Sequence, residues 1–118
     1  MTSSNSSNDL QTLRDHLRRF AKDREWDQFH SPKNLAIALS VEASELLEHF
    51  QWVTEEKSNS IPLSEVRKEM GDVLLYLIRL ADKLDVDLIE AAQSKLLENA
   101  EKYPVEKARG SSKKYTVL

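Results

Sequence analysis

Four acidic residues sit where a helical chain should be apolar. Glu42 and Glu45, and again Glu69 and Asp72, are spaced i,i+3 inside stretches whose apolar residues recur every three or four positions. That spacing puts each pair on one helix face, one turn apart. A strand would alternate with period two, and no stretch alternates far enough to support one. The chain is therefore constrained to an all-α fold in which two helices turn carboxylates toward a shared seam. At ~100° per residue, Glu42 falls in the middle of the stripe Leu35, Leu39, Leu46 and Phe50, with Glu45 on its shoulder near His49. Glu69 lies beside Val73 and Leu80, flanked by Asp72 and Tyr76.

The rest of the pattern supplies four helices. Leu10, Leu13, Leu17 and Phe20 predict a first helix over about Asp9 to Arg24. Glu25 to His30 breaks the period and reads as a loop holding two aromatics and a histidine. Ser31-Pro32 is an N-cap followed by proline at the first helical position, opening a second helix to about Trp52. Thr54 to Leu63 is a polar connection. A third helix runs from Glu65 to Leu84, with Ser64 as its N-cap and Val66, Met70, Val73, Leu77, Leu80 and Leu84 as its stripe. Leu75 and Ile78 point elsewhere, so this helix is apolar on a second face, which is expected to meet another subunit. Asp87 with Glu90 resembles a capping box for a fourth helix over Leu88 to Tyr103, which Pro104 stops.

Length and composition narrow the partners. One domain is expected from 118 residues, here over residues 9–104. The net charge of −3 lacks the basic footprint of a nucleic-acid binder. No run is long and apolar enough to span a membrane. The absence of cysteine excludes thiolate metal sites and suits a reducing cytoplasm. Met1 to Asn8 is Ser/Asn-rich without an apolar core, and reads as a disordered tail and not a signal peptide. Residues 105–118 form a basic tail with Lys107, Arg109, Lys113 and Lys114.

A single helical glutamate is ordinarily solvated, and Glu48, Glu55, Glu56, Glu98 and Glu101 need no other account. Glu42 does, because a carboxylate in an apolar stripe carries a heavy desolvation cost unless it is paired or bound to metal. Arg67 or Lys68 could neutralise one acid but not four crowded into one seam. Like charges that close repel, and a divalent cation relieves them. Two readings stay open at this point: a metal site with hard oxygen ligands, or a buried polar network in a non-catalytic helical binding module. Trp26, Phe29 and Trp52 are core residues or platforms for a nucleobase, and His30 is a loop residue or a polar contact to base or phosphate. No Walker loop, Rossmann glycine pattern or HExxH is present, so a phosphate site would rest on metal and basic side chains.

Glu42-Ala-Ser-Glu45 and Glu69-Met-Gly-Asp72 on two helices look like the ExxE…ExxD signature of the MazG-like, all-α nucleotide pyrophosphohydrolases. Within that superfamily the chain most resembles the dCTP pyrophosphatases. The resemblance runs from about Leu17 to Thr116 and includes Trp26-Asp-Gln-Phe-His30, Phe50-Gln-Trp52, Asp72-Val-Leu-Leu-Tyr76, Lys102-Tyr-Pro104, and Arg109-Gly110 through Lys114-Tyr-Thr116. It departs at Leu17, where a close relative would place a polar ligand contact.

The resemblance implies a four-helix MazG-like bundle assembling as a homo-oligomer, a tetramer or a tight dimer, with the active site at the subunit contact. It implies Mg²⁺ held by Glu42, Glu45, Glu69 and Asp72. The implied reaction is hydrolysis of a nucleoside triphosphate, dCTP first, to monophosphate and pyrophosphate, with Glu42 or Glu45 positioning or deprotonating the attacking water. A broad or dUTP-preferring enzyme is the alternative. Trp26, Phe29, His30, Trp52 and Tyr76 would bind the nucleoside, and Arg109, Lys114 and Tyr115 of the tail would reach phosphates.

Overall fold

A computed structural model of the chain describes residues 5–118, with side chains described from Asp9 onward. It is helical throughout its ordered elements, with no strand among the described residues. The elements are α1 (Asn5–Asp23), α2 (Pro32–Glu48), a single turn α3 (Glu55–Ser58), α4 (Leu63–Leu84), α5 (Leu88–Lys102) and a second single turn α6 (Val105–Ala108). Short 3₁₀ turns cover Asp27–Phe29 and Tyr115–Val117. The chain divides into two compact units, one ending at Val86 and one spanning Asp87–Leu118.

In the first unit, α4 packs mainly on α2 and also on α1. Its core is small: Ala21 from α1, Leu35 from α2, and Val66, Ile78 and Ala81 from α4. The buried face of α4 is rotated from the expected stripe. Ile78 is inside, whereas Met70, Leu77 and Leu84 are exposed. α4 serves two neighbours within its own unit, α2 and α1, so its buried residues Val66, Ile78, Arg79 and Ala81 do not follow a single stripe.

The helix ends follow local chemistry. Ser31 Oγ accepts from the Asn34 amide at 3.1 Å, and Pro32 fills the first helical position where its missing N–H costs nothing. Thr54 caps α3 in the same way at 3.2 Å. The expected Ser64 cap is not used: α4 begins at Leu63 behind Pro62, without a side-chain cap. The C-termini of α1 and α4 share one device. Glu25 (φ 54°) and Asp85 (φ 56°) take the left-handed conformation, and the next amides, Trp26 and Val86, donate back to the carbonyls of Ala21 and Ala81 at 2.8 and 2.9 Å. This Schellman closure folds Trp26 back over the end of α1.

The first helix thus starts four residues before the predicted Asp9. Of the expected tail over residues 1–8, residues 1–4 lie outside the described residues, and the backbone of residues 5–8 belongs to α1. In the second unit Asp87 caps α5, accepting from the Glu90 amide at 3.1 Å as its sequence predicts. Tyr103 ends that helix before Pro104, where proline cannot continue the hydrogen-bond ladder. No helix of the described residues is long and apolar enough to cross a membrane.

Candidate active site

The seam between α2 and α4 holds the acids. One carboxylate oxygen each from Glu42, Glu69 and Asp72 lies within 4.8 Å of the other two. All three side chains are half-buried. Glu42 Oε2 and Glu69 Oε2 are buried without any hydrogen-bond partner. Lys68, a possible neutralising residue, instead pairs with Glu65 at 3.1 Å. The Glu42 carboxyl is pushed up from 4.5 to about 7. The largest cause is hydrogen bonding to Glu45, which requires that one of the two carry a proton. Burial follows, then the charges of Glu45, Asp72 and Glu69. Glu69 is also raised, by burial first and then by the charge of Glu45.

Buried, unpartnered carboxylate oxygens that repel one another are what a divalent cation relieves. The donor set is entirely hard oxygen, the kind that Mg²⁺, Ca²⁺ and Mn²⁺ prefer. The residues present therefore fit a divalent metal. Glu45 stands beside the group of three and touches its electrostatics through Glu42 and Glu69.

A cavity of about 430 Å³ opens beside the acids, with Asp72 in its wall. From α1 it takes Leu13, His16, Leu17 and Phe20; from the following loop, Trp26 and His30; from α4, Leu75, Tyr76 and Arg79. Trp26 is held edge-on between Phe20 (centroids 5.6 Å apart) and His30 (6.3 Å). The loop that carries Trp26 and His30 is tied to α2, since Asn34 Nδ2 donates to the Phe29 carbonyl at 3.0 Å. The structure thus brings Trp26, His30, Tyr76 and Asp72 to one cavity. Phe29 (59% exposed) and Trp52 (88% exposed, in the turn after α2) are not in its wall.

A second charged cluster underlies the same cavity. Buried Arg79 donates from Nε to His30 Nδ1 at 3.2 Å and pairs through Nη2 with Asp27, while Asp82 lies 3.6 Å from Nη1. Arg18 grips Asp82 in a fork, at 2.8 and 2.6 Å, and Lys83 reaches Asp27 at 3.3 Å. Hydrogen bonding to Arg18 holds the Asp82 carboxyl below the usual carboxylate range despite its burial. Burial and the Arg79 charge push His30 down. Sequence reasoning missed Arg79 and His16. The signal was present: Asp72, Tyr76 and Arg79 fall at i, i+4 and i+7, one helix face, and Leu13, His16, Leu17 and Phe20 form a similar face on α1.

The tail residues belong to the second unit. Arg109 ends α6, Gly110 turns the chain with φ 72°, and Lys114 precedes the 3₁₀ turn that starts at Tyr115. The Tyr115 ring meets Tyr103 edge-on at 5.9 Å and lies under Lys102 Nζ at 4.9 Å, which gives the basic tail an aromatic anchor on α5.

An all-α chain with acid pairs facing across two helices, beside an aromatic-lined cavity, defines a class of helical, acid-cluster proteins. Comparison with known proteins makes this specific. A model of the MazG-like family matches residues 37–118. Mouse dCTP pyrophosphatase 1 is 44% identical over 114 residues, covering 92% of this chain and 67% of the relative. The human protein of the same name is 42% identical over 114 residues with the same coverage. A crystal structure of a pyrophosphatase from Archaeoglobus fulgidus superposes with a TM-score of 0.77 at 41% identity, covering 80% of this chain and 91% of that one. The chain belongs to the MazG-like family, and to its enzyme class, the nucleoside triphosphate pyrophosphohydrolases.

Proposed function

We propose that the protein hydrolyses dCTP to dCMP and pyrophosphate with Mg²⁺ in its acid cluster, as a cytoplasmic homo-oligomer, tetrameric or dimeric, that clears nucleotides from the pool. The observation that carries this reading is the pair of buried, unpartnered oxygens on Glu42 and Glu69, clustered with Asp72, which lines an aromatic-walled cavity. The cavity volume, about 430 Å³, falls in the range of small-molecule sites, roughly 300–1,000 Å³. The names of the mouse and human relatives supply the substrate.

Glu42, Glu45, Glu69 and Asp72 would hold the Mg²⁺. When bound, the metal supplies charge neutralisation for the triphosphate and for the charge that grows in transition. Glu42 or Glu45 takes a proton from the water that attacks the α phosphorus; the bond from that phosphorus to the bridging oxygen breaks, and pyrophosphate leaves. Trp26 offers a face for the base, His30 a polar contact, and Tyr76 a wall against the deoxyribose that disfavours a 2′-hydroxyl. Phe29 and Trp52 keep exposed faces for the nucleoside or a neighbouring copy, and Arg109, Lys114 and Tyr115 are assigned to the phosphates. The face expected to meet another copy, Leu75 and Ile78, has Ile78 buried within this chain; the exposed stripe residues Met70, Leu77 and Leu84 take its place as the contact between copies.

The test is incubation with Mg²⁺ and a panel of deoxynucleoside and nucleoside triphosphates, with product identification. Monophosphate and pyrophosphate, fastest from dCTP, support the proposal. Diphosphate and phosphate refute attack at the α phosphorus. A dUTP-led or flat ranking moves the base assignment to the alternative reading, because the acids meet phosphates and not bases.

A further inference from the structure

Arg79 is 5% exposed and carries a full charge, yet nothing in the proposed chemistry uses it. A guanidinium has five N–H donors, no acceptor, and stays protonated in proteins. Its orientation is fixed by Asp27 and Asp82, and each of these is held by a further cation, Lys83 and Arg18. Its Nε–H faces His30 Nδ1 at 3.2 Å. A ring nitrogen that faces a donor must present its lone pair, so the His30 proton sits on Nε2 and the ring is neutral. His30 lines the cavity beside Tyr76 and Asp72. The ring's remaining polar group is then a donor, Nε2–H.

We propose that Arg79 is a positioning residue of the nucleotide cavity: by locking His30 as the neutral Nε2–H tautomer, it makes the cavity select nucleosides that present a hydrogen-bond acceptor to that ring. This rests on the nucleotide reading above and adds the rule by which the cavity recognises its ligand. Fixing the tautomer in advance removes an ordering cost from binding, and a site built to donate rejects a ligand that also donates, since one group is then left unpaired. The lowered pKa of His30 agrees, because both burial and the Arg79 charge disfavour a second proton.

Long-range ¹H–¹⁵N correlation spectra of the full-length protein, labelled at histidine, read the tautomer directly, with His30→Gln identifying the signal. The expected result at pH 7.5 is a single species protonated at Nε2 and bare at Nδ1. A proton on Nδ1, or an imidazolium, would overturn the proposal without any substitution at Arg79. In Arg79→Leu the tautomers should mix, and KM for the substrate nucleotide should rise about tenfold with a smaller change in kcat. An unchanged KM would overturn the positioning role. Arg79→Lys keeps a donor toward Nδ1, so it should hold the Nε2–H form and recover much of the KM; a lysine variant with mixed tautomers but normal KM would also overturn it. The spectrum needs no substrate, so a wild-type protein that turns over no nucleotide breaks the substrate reading and leaves this readout intact.

Discussion

The middle and the C-terminal end of α4 treat charge in opposite ways. Near its middle, Glu69 and Asp72 face Glu42 and Glu45, and none of the ion pairs among the described residues reaches these four acids. About 15 Å further along the helix, ten residues on at ~1.5 Å each, Asp82 and the adjoining Asp27 are gripped by Arg18, Arg79 and Lys83. In the first neighbourhood Glu42 is pushed up to about 7 and Glu69 is raised as well. In the second they are held down. The same residue types on the same helix thus mark opposite purposes. Paired acids fix the frame of the cavity, and the unpaired set is one that a divalent cation would neutralise.

The comparison breaks most sharply by removing acids from each neighbourhood. Glu69→Ala or Asp72→Ala should lower turnover by about a thousandfold, the order expected when a main electrostatic contact of a reaction is lost. Helical content should stay and the metal-free melting temperature should not fall, because a repelling charge has been removed. Circular dichroism and product assays check both; near-normal activity would sink the metal assignment. Asp82→Ala is the converse. It strips a mostly buried carboxylate from Arg18 and Arg79 and should cost about 3 kcal/mol in urea unfolding.

Smaller effects come with pH. The folded-state pKa of Glu42, about 7, stands above its ordinary 4.5, so between those values the fold holds a proton that the unfolded chain has released. Metal-free stability therefore falls as pH rises from 4.5 to about 7, and Glu42→Gln should flatten that slope. Metal binding below about pH 7 should release a proton, readable by calorimetry in buffers of different ionisation enthalpy. His30 runs the other way. Its folded-state pKa lies below the ordinary 6.5, so its neutral form is fully compatible with the fold above that value and stability is lost as pH falls below it. His30→Gln should remove this last and smallest dependence from the melting curve.

Much of this was legible in the residues. Helical period placed the long helices, and Ser31-Pro32 and Asp87 announced two helix starts that the structure uses as read. The spacing of the acid pairs sufficed to put Glu42, Glu69 and Asp72 together, because two helices with carboxylates in apolar stripes have few ways to pack. The buried face of α4 was misjudged, since periodicity gives an angle but not which neighbour occupies it. Arg79 escaped for a related reason. A long cationic side chain on a wheel looks solvated, and its burial follows from Asp27 and Asp82, partners that only tertiary packing brings near.

The two tryptophans differ in one more respect. Trp26 stands inside the cavity against His30, and Trp52 lies in open solvent. Since they are the only two in the sequence, Trp52→Phe leaves a chain whose whole indole emission comes from the cavity wall. Such a protein is its own optical probe: a ligand stacking on that ring would quench it, and a bystander at the surface would leave it bright.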